Sequence, residues 1–433
     1  MLVNKNRLIL SYIGGIFWIV LFVAFHQYPT KIIGQLSVIF LLVQAIIILG
    51  RTIKEKNSLL LVIFTFMSLY IWPSKLFFFN DLYFSAHHQI YTYYTSIYIT
   101  LLFALYFLVL NITIKIQPIN ENCKVKFKHN DYIFYGLFII TLLIILFFRR
   151  SGSHYDGTGG DVKVSSLYEY SLILIMFLYV YTNNKKSKLI LFYIICFLYV
   201  FFTVIVGGRI EVILLALLLL TLKYQYVISF KKIVILLLIG IWFMSVFENV
   251  RQNPTILLTH KAVNVLNPFI DNIGVSNFQS SNEGDVFWAS ERMLLLIEEN
   301  EISFFDRIEA ALNYFISSFL PNRFLSPLAN LANYKINIYT TGGGGLAISY
   351  FYVMFGFVGV IVLGIFIAHM LNKLSTNSTP IIKCYVILLI TTLPRWFAYN
   401  PIFLIKFCIW GTLGYCMVLS LDYTMKKYNK KIN

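Results

Sequence analysis

Charge is scarce in this chain, and negative charge is scarcest. Only 12% of its 433 residues are Asp, Glu, Lys or Arg, and only 19 of them are acidic. A water-soluble domain of that length has no use for the 59% hydrophobic residues or the mean hydropathy of +0.75 that accompany so little charge. Cysteine is equally thin. Five are present without a spacing pattern: Cys196, Cys384, Cys408 and Cys416 lie in apolar runs, and Cys123 lies in a lysine-rich connection. That distribution excludes a disulfide framework and a zinc cluster. The glycine run Thr340-Thr341-Gly342-Gly343-Gly344-Gly345 lacks the Lys-Ser/Thr ending of a nucleotide loop. His154, Asp156 and Asp161 lack the alternating acids and terminal Glu of a calcium hand, so that stretch reads as a solvated turn. The pair His87-His88 lacks nearby partners for a metal. No cofactor and no metal is expected. Internal repeats and linkers that would set off a soluble domain are absent too.

What the chain does have is apolar runs long enough to cross a bilayer, which takes roughly 20 residues of helix. About twelve such spans are expected, on that length rule: Leu8–Phe25, Ile32–Gly50, Leu59–Phe79, Tyr93–Ile114, Tyr132–Phe148, Leu167–Thr182, Leu189–Val206, Ile210–Leu222, Ile233–Val250, Leu346–Met370, Ile381–Asn400 and Ile402–Leu421. The first is long for a signal-peptide core and no small-residue cleavage site follows, so it is expected to stay as an anchor. The expected fold is an all-α polytopic integral membrane protein. Residues 1–433 form one transmembrane domain, with a large loop over residues 251–345 between spans 9 and 10. The 40 Phe and 30 Tyr suit helix interfaces and membrane belts.

Orientation follows from lysine. Lys5, Lys54 and Lys56, Lys115 to Lys128, Lys185 to Lys188, Lys223 to Lys232, Lys373, and Lys426 to Lys431 fall at both ends and in every second connection. Both termini are therefore expected in the cytoplasm. The net charge of +16 is then lysine beside anionic headgroups, and no nucleic-acid partner is implied. Arginine departs from the pattern. Arg149, Arg150, Arg209, Arg251, Arg292, Arg307, Arg323 and Arg395 fall at or near the opposite face, while Arg7 and Arg51 sit with the lysines. A guanidinium fork grips phosphate bidentately and keeps its charge at any working pH. Such a cluster on the far side of a membrane points to an anionic ligand there.

Several segments carry that reading. In Gly207-Gly208-Arg209-Ile210-Glu211 the glycines permit close backbone approach, and the following helix begins outside with its amides and positive dipole end outward. Its alternative is a tight turn with an Arg209–Glu211 structural pair. Arg395, in Leu393-Pro394-Arg395-Trp396, is an ionisable group within a span, and Pro394 frees backbone carbonyls beside it. Gly344 and Gly345 precede a helix that also starts outside, an anion-site arrangement or a hinge. Glu248 and Arg251, three apart, share a helix face and can pair. Arg323 follows Pro321-Asn322 where the loop returns to the membrane, and Arg292 stands beside Glu291.

The loop holds nine of the 19 acids. Within it, Ser303-Phe304-Phe305-Asp306 has capping-box spacing with Asp in the place of Glu. Ile308, Ala311, Leu312, Phe315, Ile316 and Phe319 then recur at helical intervals until Pro321. This predicts an amphipathic helix on the outer leaflet or over a cavity.

With these residues in view, the chain resembles the Wzy-type O-antigen and oligosaccharide repeat-unit polymerases. The likeness rests on Gly207-Gly208-Arg209, the late outer loop, Pro321-Asn322-Arg323, and Arg395 in a late span. It rests most on Gly344-Gly345-Leu346-Ala347-Ile348-Ser349-Tyr350 running into Phe355-Gly356-Phe357-Val358-Gly359-Val360. The resemblance implies a GT-C-like membrane fold in the bacterial inner membrane with a periplasmic site. It implies metal-independent transfer of a growing glycan from one undecaprenyl diphosphate to another lipid-linked repeat unit. It implies undecaprenyl-diphosphate-linked glycans, membrane lipids and a chain-length regulator (a polysaccharide co-polymerase) as partners. Arg209 and Arg395 are then expected at the donor diphosphate. Gly207, Gly208, Gly344, Gly345, Arg251, Arg292 and Arg323 are expected to bind substrate. Glu211, Glu248, Glu291 and His154 all remain open as the base. An O-antigen ligase or a lipid-linked oligosaccharide flippase is the alternative. The flippase fits less well, since transporters tend to repeat their halves and to bind near the midplane.

Overall fold

Inside a hydrocarbon layer a backbone has no water to bond, so each amide and carbonyl must be met within the chain, and a helix does this locally. The computed structural model describes residues 5–80, 93–116, 130–148, 166–205, 208–223, 231–232, 234–236, 238–240, 242, 282–320, 324–329, 331, 334, 344–374 and 378–432. It is all-helical, with no strand among the described residues. In chain order the helices are α1 (Lys5–Gln27), α2 (Lys31–Lys54), α3 (Ser58–Leu69), α4 (Trp72–Asn80), α5 (Tyr93–Thr113), α6 (Asp131–Phe147), α7 (Ser166–Tyr181) and α8 (Lys186–Ile205). They continue with α9 (Ile210–Lys223), α10 (Asn282–Glu298), α11 (Phe304–Ile316), α12 (Ala347–Leu374), α13 (Pro380–Thr391), α14 (Leu393–Ala398) and α15 (Ile402–Ile432).

Among the described residues, six segments are long and apolar enough to cross a membrane: Lys31–Lys54, Ser58–Asn80, Tyr93–Thr113, Lys186–Ile205, Ala347–Leu374 and Ile402–Tyr428. Shorter apolar helices cover Tyr12–Gln27, Asp131–Phe147, Leu167–Tyr181, Ile210–Leu222 and Pro380–Thr391. The chain is thus a helical protein with several membrane-crossing segments by length and composition. The expected span Ile233–Val250 lies mostly outside the described residues. The expected span Ile381–Asn400 is two helices, α13 and α14, because the first ends at Thr391 and Pro394 stands in the first turn of the second.

Local signals explain several helix starts. Asn57 accepts from Leu60 N at 3.1 Å to cap α3, and Asn130 accepts from Tyr132 N at 3.1 Å to cap α6. The capping box of α11 is complete: Ser303 accepts from Asp306 N at 3.2 Å and Asp306 accepts from Ser303 N at 2.8 Å. Aspartate, one methylene shorter than glutamate, still reaches. The buried side of α11 is small, made of Ala310, Ala311 and Tyr314. Its large apolar residues, Phe305, Leu312, Phe315 and Phe319 just beyond it, are exposed.

The helices gather in two units. The first holds α1–α5, α10–α12 and the Arg395–Lys406 segment. Its centre is α5, buried at every residue from Thr95 to Asn111. The C-terminal end of α5 is fastened by polar groups. Arg51 donates to the carbonyls of Asn111 at 2.7 Å and Ile114 at 3.0 Å, and Asn111 donates to Gln44. The second unit holds α6–α9, α13 and most of α15. There Tyr168 stacks on Tyr199 with ring centres 4.8 Å apart and donates to its carbonyl at 2.7 Å. Buried Lys188 and exposed Lys185 both reach Asp131 at 2.5 Å.

One break decides the shape of α12. Gly356 has φ 63° and ψ −151°, a conformation open in practice only to glycine. The break frees carbonyls one turn earlier, and Arg307 of α11 meets them: Nε donates to Val353 O at 2.6 Å and Nη2 to Tyr352 O at 3.2 Å. Arg307, counted in sequence among the outward arginines, thus works on backbone. Replacing Gly356 by Ala should cost of the order of 1–3 kcal/mol through that backbone conformation alone. Arg307→Ala should also lower stability, by leaving carbonyls unmet. Unfolding midpoints of both variants in detergent check this; unchanged midpoints would contradict the clamp.

Candidate functional site

The polar centre of the first unit is built on α10. Ser290, Glu291 and Arg292 follow one another there, and all three are buried. Successive helical residues point about 100° apart, so three neighbours face three different directions. Ser290 Oγ accepts from Leu346 N at 2.7 Å, at the start of α12, and donates to Val286 O at 2.8 Å. Glu291 accepts a short hydrogen bond from the Ser96 hydroxyl of α5. Arg292, with no exposed surface, donates to the carbonyl of Tyr334. One turn of one helix therefore binds α5, α12 and a later stretch of the loop.

The glycines have their place in this arrangement. A Cβ on Gly345 would collide with the Met293 side chain and crowd Ser290 Oγ. A Cβ on Gly344 would collide with the backbone of Tyr399. The absence of side chains at 344 and 345 thus lets α10 and the 399–401 turn close on the start of α12. The amide of Leu346, which sequence reasoning offered to an anion, is taken by Ser290. Tyr350 donates its hydroxyl to Tyr399 O at 2.9 Å, and Tyr314 of α11 donates to Pro401 O at 3.1 Å.

Arg395 lies in the same unit, in the first turn of α14. Asn400 N donates back to Arg395 O at 2.9 Å, which closes the turn. The half-buried guanidinium sits 6.0 Å from the ring centre of Tyr399 and 5.7 Å from that of Phe403. Aromatic faces attract a cation and hold its fork in a limited set of orientations. The structure therefore brings Arg395, Gly344, Gly345 and Arg292 into one unit around α10 and the 395–403 turn.

Gly208, Arg209 and Glu211 belong to the second unit. Gly208 N donates to Thr203 O at 2.9 Å, and Arg209 O accepts from Ile213 N at 3.3 Å as α9 begins. Glu211 is fully buried in the first turn of α9. Arg209 is half-buried. Gly207, Glu248, Arg251 and Arg323 lie outside the described residues, as do Arg149, Arg150 and His154. Among the described residues no group of three His, Cys, Asp or Glu is placed to hold a metal.

Sequence reading missed Ser96 and Ser290. Each stands in an apolar stretch, where a serine reads as packing. The available signal was the run Ser290-Glu291-Arg292 inside the apolar stretch from Val286 to Leu296. No family, curated protein or solved structure matches this chain.

Burial pushes the Glu291 carboxyl up to about 8, against which the Ser96 hydrogen bond pulls only partway. The folded state then holds a proton that the unfolded chain releases near its ordinary value of 4.5. Fewer protons bound in the unfolded state means that stability falls as pH rises between those values. Glu291→Gln should flatten that fall and raise the unfolding midpoint at pH 8 relative to the native chain. Midpoints measured from pH 5 to 9 in detergent check it. An equal slope in both proteins would count against a buried, protonated Glu291.

Proposed function

We propose that this chain is a glycosyltransferase that polymerises lipid-linked oligosaccharide repeat units, carried on undecaprenyl diphosphate, into O-antigen or a related surface polysaccharide. The reading includes about twelve spans, by the length rule for a helix crossing the bilayer. It also includes a GT-C-like arrangement, cytoplasmic termini, and a site on the periplasmic face of a bacterial inner membrane. The observation that carries it is Arg395. It is an always-charged fork held half-buried over two aromatic rings at a helix break, in an otherwise charge-poor chain.

The chemistry needs such a group. The C1–O bond to the donor diphosphate breaks, and C1 bonds to a hydroxyl oxygen of the acceptor's non-reducing sugar. The hydroxyl proton passes to a base, and undecaprenyl diphosphate leaves with the electron pair. Negative charge gathers on the leaving oxygen, and a preplaced guanidinium stabilises it without a metal. Arg395 takes that role here, and Arg209, in the second unit, stays a separate candidate read from the sequence. Arg251 and Arg323 remain candidates on the acceptor side. The base stays open among Glu211, Glu248, Glu291 and His154; Glu291 is buried on α10 with its carboxyl bonded to Ser96. Arg292, enclosed and bonded to Tyr334 O, supports the loop rather than substrate in this reading.

Labelled lipid-linked repeat units supplied to the chain in membranes test the proposal. Longer lipid-linked chains support it. Glycan on a lipid A-core acceptor would mean a ligase, and movement across the bilayer without new bonds would mean a flippase. Arg395→Ala and Arg209→Ala should each lower polymer formation by about 100-fold or more, the scale for removing one donor to a developing anion. Lysine at either position should restore little, because a point charge lacks the fork. Native polymer length from both alanine variants would refute these roles.

A further inference from the structure

Apart from Arg395 and the α10 centre, the first unit holds a cluster of aromatic rings with polar groups. It joins the C-terminal end of α1, the N-terminal end of α5 and the broken part of α12. Phe22 lies 4.5 Å from His26 and 5.1 Å from Phe357, ring centre to ring centre. Tyr94 lies 5.9 Å from Tyr98, Tyr98 lies 5.2 Å from Tyr352, and Tyr352 lies 5.3 Å from Phe357. His26 is exposed, and Phe22, Tyr94 and Tyr352 are half-buried. The hydroxyls of Tyr98 and Tyr352 bond each other. Exposed Glu298, at the end of α10, acts electrostatically on Tyr94, and Arg307 acts on Tyr98.

Two plainer roles account for this poorly. A packing core gains nothing from phenols, an imidazole and a carboxylate, which cost desolvation that leucine avoids. A membrane belt points tyrosine hydroxyls at the water layer, whereas Tyr98 and Tyr352 turn theirs on each other across two helices. The mixture has the composition of a small-molecule site: apolar and aromatic surface with a few convergent polar groups. A pyranose matches it. Its C–H face lies on an aromatic ring, and its rim of hydroxyls bonds with phenol, imidazole and carboxylate. A phosphate matches poorly, because Glu298 repels it and Arg307 is already bonded to backbone.

We propose that this tyrosine-lined patch binds a pyranose, the terminal sugar of the acceptor glycan, separately from the cation at Arg395. The assignment of the sugar as acceptor rests on the polymerase reading; the sugar site itself does not. The test uses the full chain in lipid nanodiscs. The probe is free oligosaccharide released by mild acid from the lipid-linked glycans of the cells that make this chain. Saturation-transfer NMR reads binding. The native chain should bind, and Tyr94→Ala and Tyr352→Ala should each weaken binding at least tenfold. Tyr94→Phe and Tyr352→Phe keep the rings and fold, and should weaken it about threefold, the scale of one neutral hydrogen bond. Arg395→Ala should bind the sugar as the native chain does. Native affinity in all four tyrosine variants, or no binding by the native chain, overturns the site. Elongation with native affinity in those variants leaves the polymerase standing and removes the patch. Sugar binding lost in the variants of a chain that never elongates does the reverse.

Discussion

A carbonyl freed inside an apolar protein must find a donor, and that constraint organises the first unit. Where α12 breaks at Gly356, Arg307 supplies two donors to the carbonyls left behind. Where α5 ends, Arg51 does the same. Where the loop passes α10, Arg292 bonds the Tyr334 carbonyl. Unmet, each such group would cost roughly 1–3 kcal/mol. In this chain guanidinium groups therefore satisfy backbone at three places, while that of Arg395 is held beside the rings of Tyr399 and Phe403.

The same economy of charge explains the centre at α10. Three consecutive polar residues, turned about 100° apart by the helix, hold three different partners. Glycines at 344 and 345 let those partners come close, and the turn carrying Arg395 closes against them. The position of Arg395 is thus tied to the fold: its own carbonyl closes the turn, and its neighbour Tyr399 is packed against Gly344. The glycan chemistry proposed for this unit depends on that rigidity, because a preplaced cation stabilises a leaving diphosphate only if it does not have to reorganise.

Much of the fold was legible in residues that act locally. The apolar runs gave α2, α5 and α8 to within a few positions, and Ser303 with Asp306 gave the start of α11. Pro394 warned of the interruption that splits Ile381–Asn400 in two. The break at Gly356 was not legible, since the glycine stands in an unbroken apolar run and its partner Arg307 is 49 positions away by subtraction of residue numbers. Ser96 and Glu291 are separated by 195 positions, so nothing local marks their bond. For the site, Arg395 and Gly344-Gly345 were singled out separately, and their meeting through Tyr399 is a tertiary fact. The glycines were read as an anion-site arrangement or a hinge, and in the fold they make room for the Tyr399 backbone and the Met293 side chain.

The proposed reaction requires one sidedness: the α10–α11 loop and its arginines outside, the lysine-rich end of α15 inside. Single cysteines at Ser303 and Tyr428, both exposed, measure it directly in a chain with Cys123 and Cys416 changed to serine. A membrane-impermeant maleimide applied to intact spheroplasts should label Ser303→Cys at once and Tyr428→Cys only after permeabilisation. The opposite order would place the guanidinium groups on the wrong side of the bilayer and contradict the account.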